Sequence, residues 1–368
     1  MKHTYTYQVL EGDARSVGRA QARHLRESYP DAVQIYGSPF GNKTERLKEG
    51  ERLLAMNERW CPGLNEEIEG FATELGVRPE AVIYNTATIP RTGNCSQIVV
   101  LPDHATTGTT LCARSYEWSK DDELTLKTVR IPGRAAHTGF AVLCFGRFDG
   151  LNDRGLWVSI SAANPLAPLP ETEGFRFWAL TRTILDRCSS VEEAIELATP
   201  FPLAFHLNLI VADKNGNAAL IEKGPDRQSV QRATSGFIHA TNHYTLEGTR
   251  DYATELFVHS LTRHEYIARE AKRETQTMDS LRKLLSSPFP EGLACHYYND
   301  WFGTLWSLQA DLSDGTLHAC FGPADVPENR FRTFRPNDPV GTTHFEAELP
   351  DETASAETWA RVPNRKNV

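Results

Sequence analysis

The sequence predicts an α+β fold of four layers: two stacked antiparallel sheets with helices covering both outer faces. Three observations lead there. The first 94 residues are mainly helical in pattern, strand-like apolar runs begin abruptly at Cys95, and from that point the order is β, then α, then β, then α. Two sheets that each need a cover on the outer face bury their apolar residues in this arrangement.

Helical stretches are expected near 14–29, 43–60 and 63–75. In the third, Leu64, Ile68, Phe71, Ala72 and Leu75 recur at i, i+4, i+7, i+8 and i+11, which is one face of a helix. Pro62-Gly63 opens it and Gly76 ends it. A short helix is expected after Pro79. Strands follow over Gln97-Ile98-Val99-Val100-Leu101, 110–114, 124–131, 140–145 and 156–161. A helical pair is expected at 175–187 and 191–199, the second started by the capping sequence Ser189-Ser190-Val191-Glu192-Glu193. Strands return at 206–212 and 217–222 around the turn Lys214-Asn215-Gly216. Helices at 253–272 and 277–286 and a hairpin over 304–312 and 316–321 complete the pattern, and the polar, Pro-containing tail from 324 reads as irregular. The expected organisation is a helical leader over 1–94, a sandwich core over 95–323 and a C-terminal extension over 324–368.

The composition is that of a globular protein, with 40% hydrophobic and 24% charged residues. A net charge of −9 without a long basic stretch argues against nucleic acid or an anionic membrane surface as partner and favours small molecules. Seven cysteines, an odd number, widely spaced and without Cys-x-x-Cys, argue against a disulfide framework or a zinc ribbon and suit a reducing compartment. With no signal-peptide pattern at Met1-Lys2-His3-Thr4-Tyr5-Thr6 and no run of the roughly 18 apolar residues a membrane span needs, a cytoplasmic location is expected.

Cys95 carries the chemistry. It stands in Gly93-Asn94-Cys95-Ser96, where helical pattern gives way to strand pattern. A cysteine placed at a chain terminus supplies its own base, because an α-amine titrates near ~7.7–8.0 and a thiol near ~8.5. Cleavage of the Asn94 to Cys95 bond would create that terminus. The competing reading is a small buried hydrophobe, the usual fate of a single cysteine.

Further motifs surround it in consistent order. The stretch from Pro62 to Ala72 precedes the nucleophile. Arg114-Ser115-Tyr116-Glu117-Trp118, Gly150-Leu151-Asn152-Asp153-Arg154-Gly155-Leu156, Ala163-Asn164-Pro165, Thr241-Asn242-His243-Tyr244 and Thr304-Leu305-Trp306-Ser307 follow it. Together they resemble the linear amide C–N hydrolases of the N-terminal-nucleophile (Ntn) superfamily. The likeness is to the acyl-CoA:6-aminopenicillanate acyltransferase-like branch (peptidase C45), with choloylglycine hydrolases and acid amidases as cousins. The resemblance implies an αββα Ntn sandwich and self-cleavage before Cys95. It also implies hydrolysis or exchange of a linear amide through an acyl-Cys95 thioester, with no metal or organic cofactor. A small-molecule amide would be the substrate, an acyl donor such as a CoA thioester a second partner, and a heterodimer of the cleaved fragments the assembly.

Arg114, one strand on from Cys95, would lower the thiol's pKa and hydrogen-bond the attacking sulfur; a solvated strand arginine is the alternative. Glu117, where the family commonly has Asp, would by analogy hold the released amine, or else be an exposed ion-pair carboxylate. Asn164 and Asn242 sit at strand ends, where two neutral donors suit an oxyanion hole, although Asn also forms turns. Arg263 matches the family's late arginine or is a helix-surface charge. The second functional reading keeps Cys95 internal and served by His243 or His296.

Overall fold

The computed structural model describes residues 1–37, 43–88, 93–122, 124–142, 144–166 and 173–364. Two large sheets face each other. The first runs, edge to edge, Gln228–Ala233, Ala218–Lys223, Leu207–Asp213, Leu156–Ala162, Asp149–Asn152, His137–Val142, Thr125–Arg130, Lys2–Glu11 and Gly341–Glu348. The second runs Phe237–Ala240, Asn94–Val100, Leu111–Trp118, Phe302–Asp311, Thr316–Phe321 and Phe331–Phe334. Helices Phe177–Arg187 and Val191–Ala198 cover the first, and Val258–Arg273 and Met278–Leu285 cover the second. This is the expected αββα order. Strands such as Asn94–Val100 and Leu207–Asp213 are buried at every residue because both faces are covered.

Local chemistry sets the element ends. Ser190 Oγ accepts the backbone N–H of Glu193 at 3.3 Å while Glu193 reaches back to the N–H of Ser189 at 2.6 Å, so the capping sequence starts its helix as expected. Gly76 ends Leu64–Leu75 in the left-handed region at φ 70°. In Gly150-Leu151-Asn152, the Asn152 side chain accepts from the N–H groups of Arg154 and Leu156 and donates to Leu185 O and Cys188 O. These hydrogen bonds lock the turn to the end of the covering helix, which is an architectural role.

Three expectations are corrected. The first segment is not only helical, since Lys2–Glu11 is a strand. Its Tyr5, Tyr7 and Val9 alternate inward with period 2 and are buried. The sheets are not wholly antiparallel: Lys2–Glu11 pairs in parallel with Thr125–Arg130 (Thr6↔Thr125) and antiparallel with Gly341–Glu348 (Tyr5↔Phe345). The tail is not irregular. Phe331–Phe334, Gly341–Glu348 and Arg361–Pro363 are strands, and tertiary pairing supplies their hydrogen bonds where local composition predicts loop. No helix among the described residues is long and apolar enough to cross a membrane.

Candidate active site

Cys95 is the second residue of Asn94–Val100, and antiparallel pairing with Leu111–Trp118 sets Asn94 opposite Glu117, Cys95 opposite Tyr116, Ser96 opposite Ser115 and Gln97 opposite Arg114. Side chains alternate across a strand. Cys95 and Tyr116 therefore face the other sheet, while Ser96, Ser115 and Glu117 face helix Val258–Arg273. The approach to Cys95 is tight. A Cβ built on Gly93 would lie 2.2 Å from the Tyr116 ring, so only glycine lets the chain lie flat there.

On the inner face Arg114 Nη2 donates to Cys95 Sγ at 3.0 Å. The guanidinium is fully buried, and its Nη1 bonds Phe148 O at 3.1 Å and the carboxylate of Asp149. Asp149 also accepts from the N–H of Phe140 and from Trp306 Nε1, each at 3.0 Å. The two Nη groups of Arg114 and the carboxylate of Asp149 are thus hydrogen-bonded, which offsets part of the cost of burying the pair, while Arg114 Nε makes no hydrogen bond. Burial pushes the Cys95 thiol up to about 11, with Arg114 pulling the other way. In the intact chain Cys95 is a buried residue, 3% exposed.

On the outer face one guanidinium ties the site together. Arg263 Nη1 donates to Cys95 O at 2.7 Å and Ser96 Oγ at 3.0 Å and lies 3.4 Å from Glu117 Oε2. Its Nη2 donates to Asn242 Oδ1 at 2.8 Å and to His259 Nδ1 at 3.0 Å. With no exposed surface, Arg263 is not a helix-surface charge. Asn242 Oδ1 also accepts the backbone N–H of Cys95 at 3.0 Å, and its Nδ2 donates to Ala162 O at 2.9 Å. Two donors converge on one amide atom, which identifies that atom as the oxygen. Thus in the intact chain Asn242 holds the nitrogen of Cys95, and its own amide N–H groups are already engaged.

Glu117 is fully buried beside Arg263, and its Oε1 makes no hydrogen bond of normal geometry. Burial pushes its carboxyl up to about 7 against the pull of Arg263, Ser115 and Arg114. The folded chain therefore holds this proton more tightly than the unfolded chain. The stability it contributes is complete below the ordinary value of 4.5 and is lost as pH rises through about 7. If the ionised carboxylate is the working form, modification at Cys95 should accelerate between about pH 6 and 8 with a midpoint near 7, and Glu117→Gln should be slower and flat over that interval. The pH dependence of Cys95 acylation by p-nitrophenyl acetate is the measurement; an unchanged midpoint in Glu117→Gln would exclude Glu117 as its source.

The other predicted residues fall outside this cluster. Asn164 is half-buried, two residues past the end of Leu156–Ala162, and among the described residues makes no hydrogen bond to the cluster. His243 Nδ1 bonds Ser260 Oγ at 2.8 Å, and His296 sits between Asp325 at 3.0 Å and Glu352 at 3.5 Å. No described histidine hydrogen-bonds Cys95 Sγ. Sequence reasoning missed Asp149, Trp306 as the donor to it, and His259. Asp149 did have a signal, since it stands directly before Gly150-Leu151-Asn152.

The family model described as acyl-coenzyme A:6-aminopenicillanic acid acyl-transferase matches residues 107–325, more than half of the chain. The chain belongs to this family. The matched region contains Arg114, Glu117, Asn164, Asn242 and Arg263 and begins after Cys95. Membership makes the chain an enzyme of an acyl-transferase family. Similar solved structures include penicillin V acylase from Agrobacterium tumefaciens (14% identity, 62% of this chain and 83% of that one, TM-score 0.41). They also include a mutant form of conjugated bile acid hydrolase from Clostridium perfringens (10% identity, 71% and 99%, TM-score 0.42). A third is a Caenorhabditis elegans orthologue of N-acylethanolamine-hydrolyzing acid amidase (17% identity, 59% and 93%, TM-score 0.43). The layer order and register described above, not these low scores, carry the fold assignment. No curated protein matches the sequence.

Proposed function

We propose that the chain is the precursor of a cysteine Ntn enzyme that cleaves itself between Asn94 and Cys95 and then hydrolyses or exchanges a linear amide through an acyl-Cys95 thioester. One observation carries this reading: the sulfur and the backbone nitrogen of the same residue are each held by a dedicated buried side chain, Arg114 on Sγ and Asn242 on N. An internal cysteine served by histidine would need that ring at the sulfur, where the described partner is instead the Arg114 guanidinium.

In self-cleavage Cys95 Sγ adds to the Asn94 carbonyl carbon, the C–N bond breaks and the Cys95 nitrogen takes up the proton. Water then hydrolyses the Asn94 thioester. This leaves a carboxylate on Asn94 and an amine and a thiol on Cys95. In turnover the neutral amine takes the thiol proton as the sulfur adds to the substrate carbonyl, then returns it to the departing amine. Arg263 beside Asn242 Oδ1 opposes a permanent positive charge on that amine. Water or a second amine resolves the thioester, and a CoA thioester is a second source of the acyl group. Asn164 and Asn242 are the oxyanion donors of this reading, Asn242 once the released Gly93-Asn94 end moves off the Nδ2 that now lies 3.4 Å from Gly93 O.

The fragments would stay together as a heterodimer. Lys2–Glu11 lies between two strands from beyond the cleavage point, and a buried ladder runs from Lys127 through Gln21 and Glu67 to Arg182 at 3.1, 2.6 and 2.8 Å. Dissociation would break these buried bonds and expose the apolar surface packed around them to water. The odd, scattered cysteines support a cytoplasmic setting. The test is N-terminal sequencing of the purified protein. A second N-terminus reading Cys95-Ser96-Gln97 is expected, and an N-terminus at Met1 alone in an active preparation would transfer the function to an internal cysteine.

A further inference from the structure

His259 lies on helix Val258–Arg273 one turn before Arg263, fully buried. Its ring is enclosed by Phe257, Phe302 and Trp359, with centroids 5.0, 4.6 and 5.4 Å away. Its Nε2 is buried without a hydrogen-bond partner. The other ring nitrogen faces a donor that cannot lose its proton, since arginine stays protonated. Nδ1 must therefore accept, which places the ring hydrogen on Nε2 and keeps the imidazole neutral. Burial, Arg263 and His243 all hold its pKa well below the ordinary value, in keeping with that state.

The C-terminal segment builds this enclosure. Arg361–Pro363 pairs with Glu255–Phe257, and the first helical N–H, that of Val258, bonds Ala360 O at 2.9 Å where no side chain caps the helix. Asn364 Nδ2 closes the strap on Arg250 O and Ala253 O at 2.6 and 2.8 Å. Trp359 is thereby pressed onto His259 from a segment more than 260 residues beyond the nucleophile.

We propose that His259, held by the C-terminal strap, is a positioning residue for Arg263. By accepting from Nη2 and, through its backbone carbonyl, from Nε at 3.2 Å, it fixes the guanidinium plane. The remaining N–H groups then meet Cys95 O, Asn242 Oδ1 and Glu117 together. The inference rests on the reading of Arg263 as part of the active site. An arginine without this acceptor keeps its charge and loses its orientation, and small misplacements of such groups cost up to ~100-fold in rate.

The test compares two amides at one position. Asn places its Oδ1 where histidine has Nδ1, whereas Gln places its amide where histidine has Nε2. Self-cleavage after a short expression pulse and the rate of Cys95 acylation by p-nitrophenyl acetate, both read by intact mass, are measured for His259→Asn, His259→Gln and His259→Leu. Asn is expected within ~3-fold of the parent, and Gln and Leu are expected ~10-fold to 100-fold slower. Equal rates for Asn and Gln, or a parental rate for Leu, would overturn the proposal. Arg263→Ala run in parallel separates the two claims. If it keeps the parental rate, the assignment of Arg263 itself fails. If it is inactive while Gln and Leu are not slowed, only the role of His259 fails.

Discussion

Cys95→Ala should accumulate as one intact chain from Met1 to Val368, inactive on amides, while the parent separates into Met1–Asn94 and Cys95–Val368. Intact mass after denaturing separation reads both states. The loss of turnover should be at least ~10⁴-fold, the scale seen when a nucleophile is removed and only binding and electrostatic stabilisation remain. The physical ground is that one sulfur performs both scissions. It faces Arg114 in the intact chain, and no other described cysteine hydrogen-bonds that guanidinium. Cleavage persisting in Cys95→Ala would show that the thiol is not the attacking group. A histidine substitution at 243 or 296 that stops turnover as completely as Cys95→Ala would favour the internal-cysteine reading instead.

The second large effect is expected at Arg114 and Asp149, where chemistry and stability are joined. Arg114→Ala removes the hydrogen bond to Cys95 Sγ and leaves Asp149 buried with two neutral donors and no cation. Breaking one side of a buried pair typically costs ~3–5 kcal/mol. Acylation of Cys95 should fall ~10²-fold or more, since an oriented donor on a developing charge is worth about that much. Asp149→Asn should keep the packing but release the guanidinium, giving a smaller rate loss with much of the stability loss. Denaturant unfolding in the Cys95→Ala background, where every chain stays in one piece, measures the stability term without interference from cleavage. Equal stability of Arg114→Ala and the parent would mean that the pair is not structurally coupled.

At position 117 the chain's own choice of residue alters the site electrostatics. The longer glutamate reaches past the strand to Arg263 and lies in full burial, and desolvation outweighs the nearby arginines to hold its carboxyl near 7. A group poised there can change ionisation within the working pH range, which gives the proposed pH dependence its origin.

Much was legible before any coordinates. The switch of hydrophobic period at Cys95, the capping sequence at Ser190 and the turn at Lys214-Asn215-Gly216 are local signals, and local signals fix the type and approximate limits of an element. Cys95, Arg114, Glu117, Asn242 and Arg263 were also nameable, the first from its position at the change of texture, Arg114 and Asn242 from their places on strands, and Glu117 and Arg263 from the family resemblance alone. What only the tertiary structure decided is who touches whom. Arg114 reaches Cys95 because the register offsets it by one same-face position, and Asp149 becomes its counter-ion only when the second sheet packs against the first. Arg263 belongs to the site only because its helix docks with that face inward, and His259 acquires its acceptor role only because the tail folds back over it. Lys2–Glu11 and the tail strands could not be read with their partners, because a strand's hydrogen bonds are made to another strand, which for Lys2–Glu11, Gly341–Glu348 and Arg361–Pro363 lies more than a hundred positions away. Periodicity is written in neighbours along the chain, whereas a catalytic cluster is written in distances between elements, and those exist only once the layers have closed.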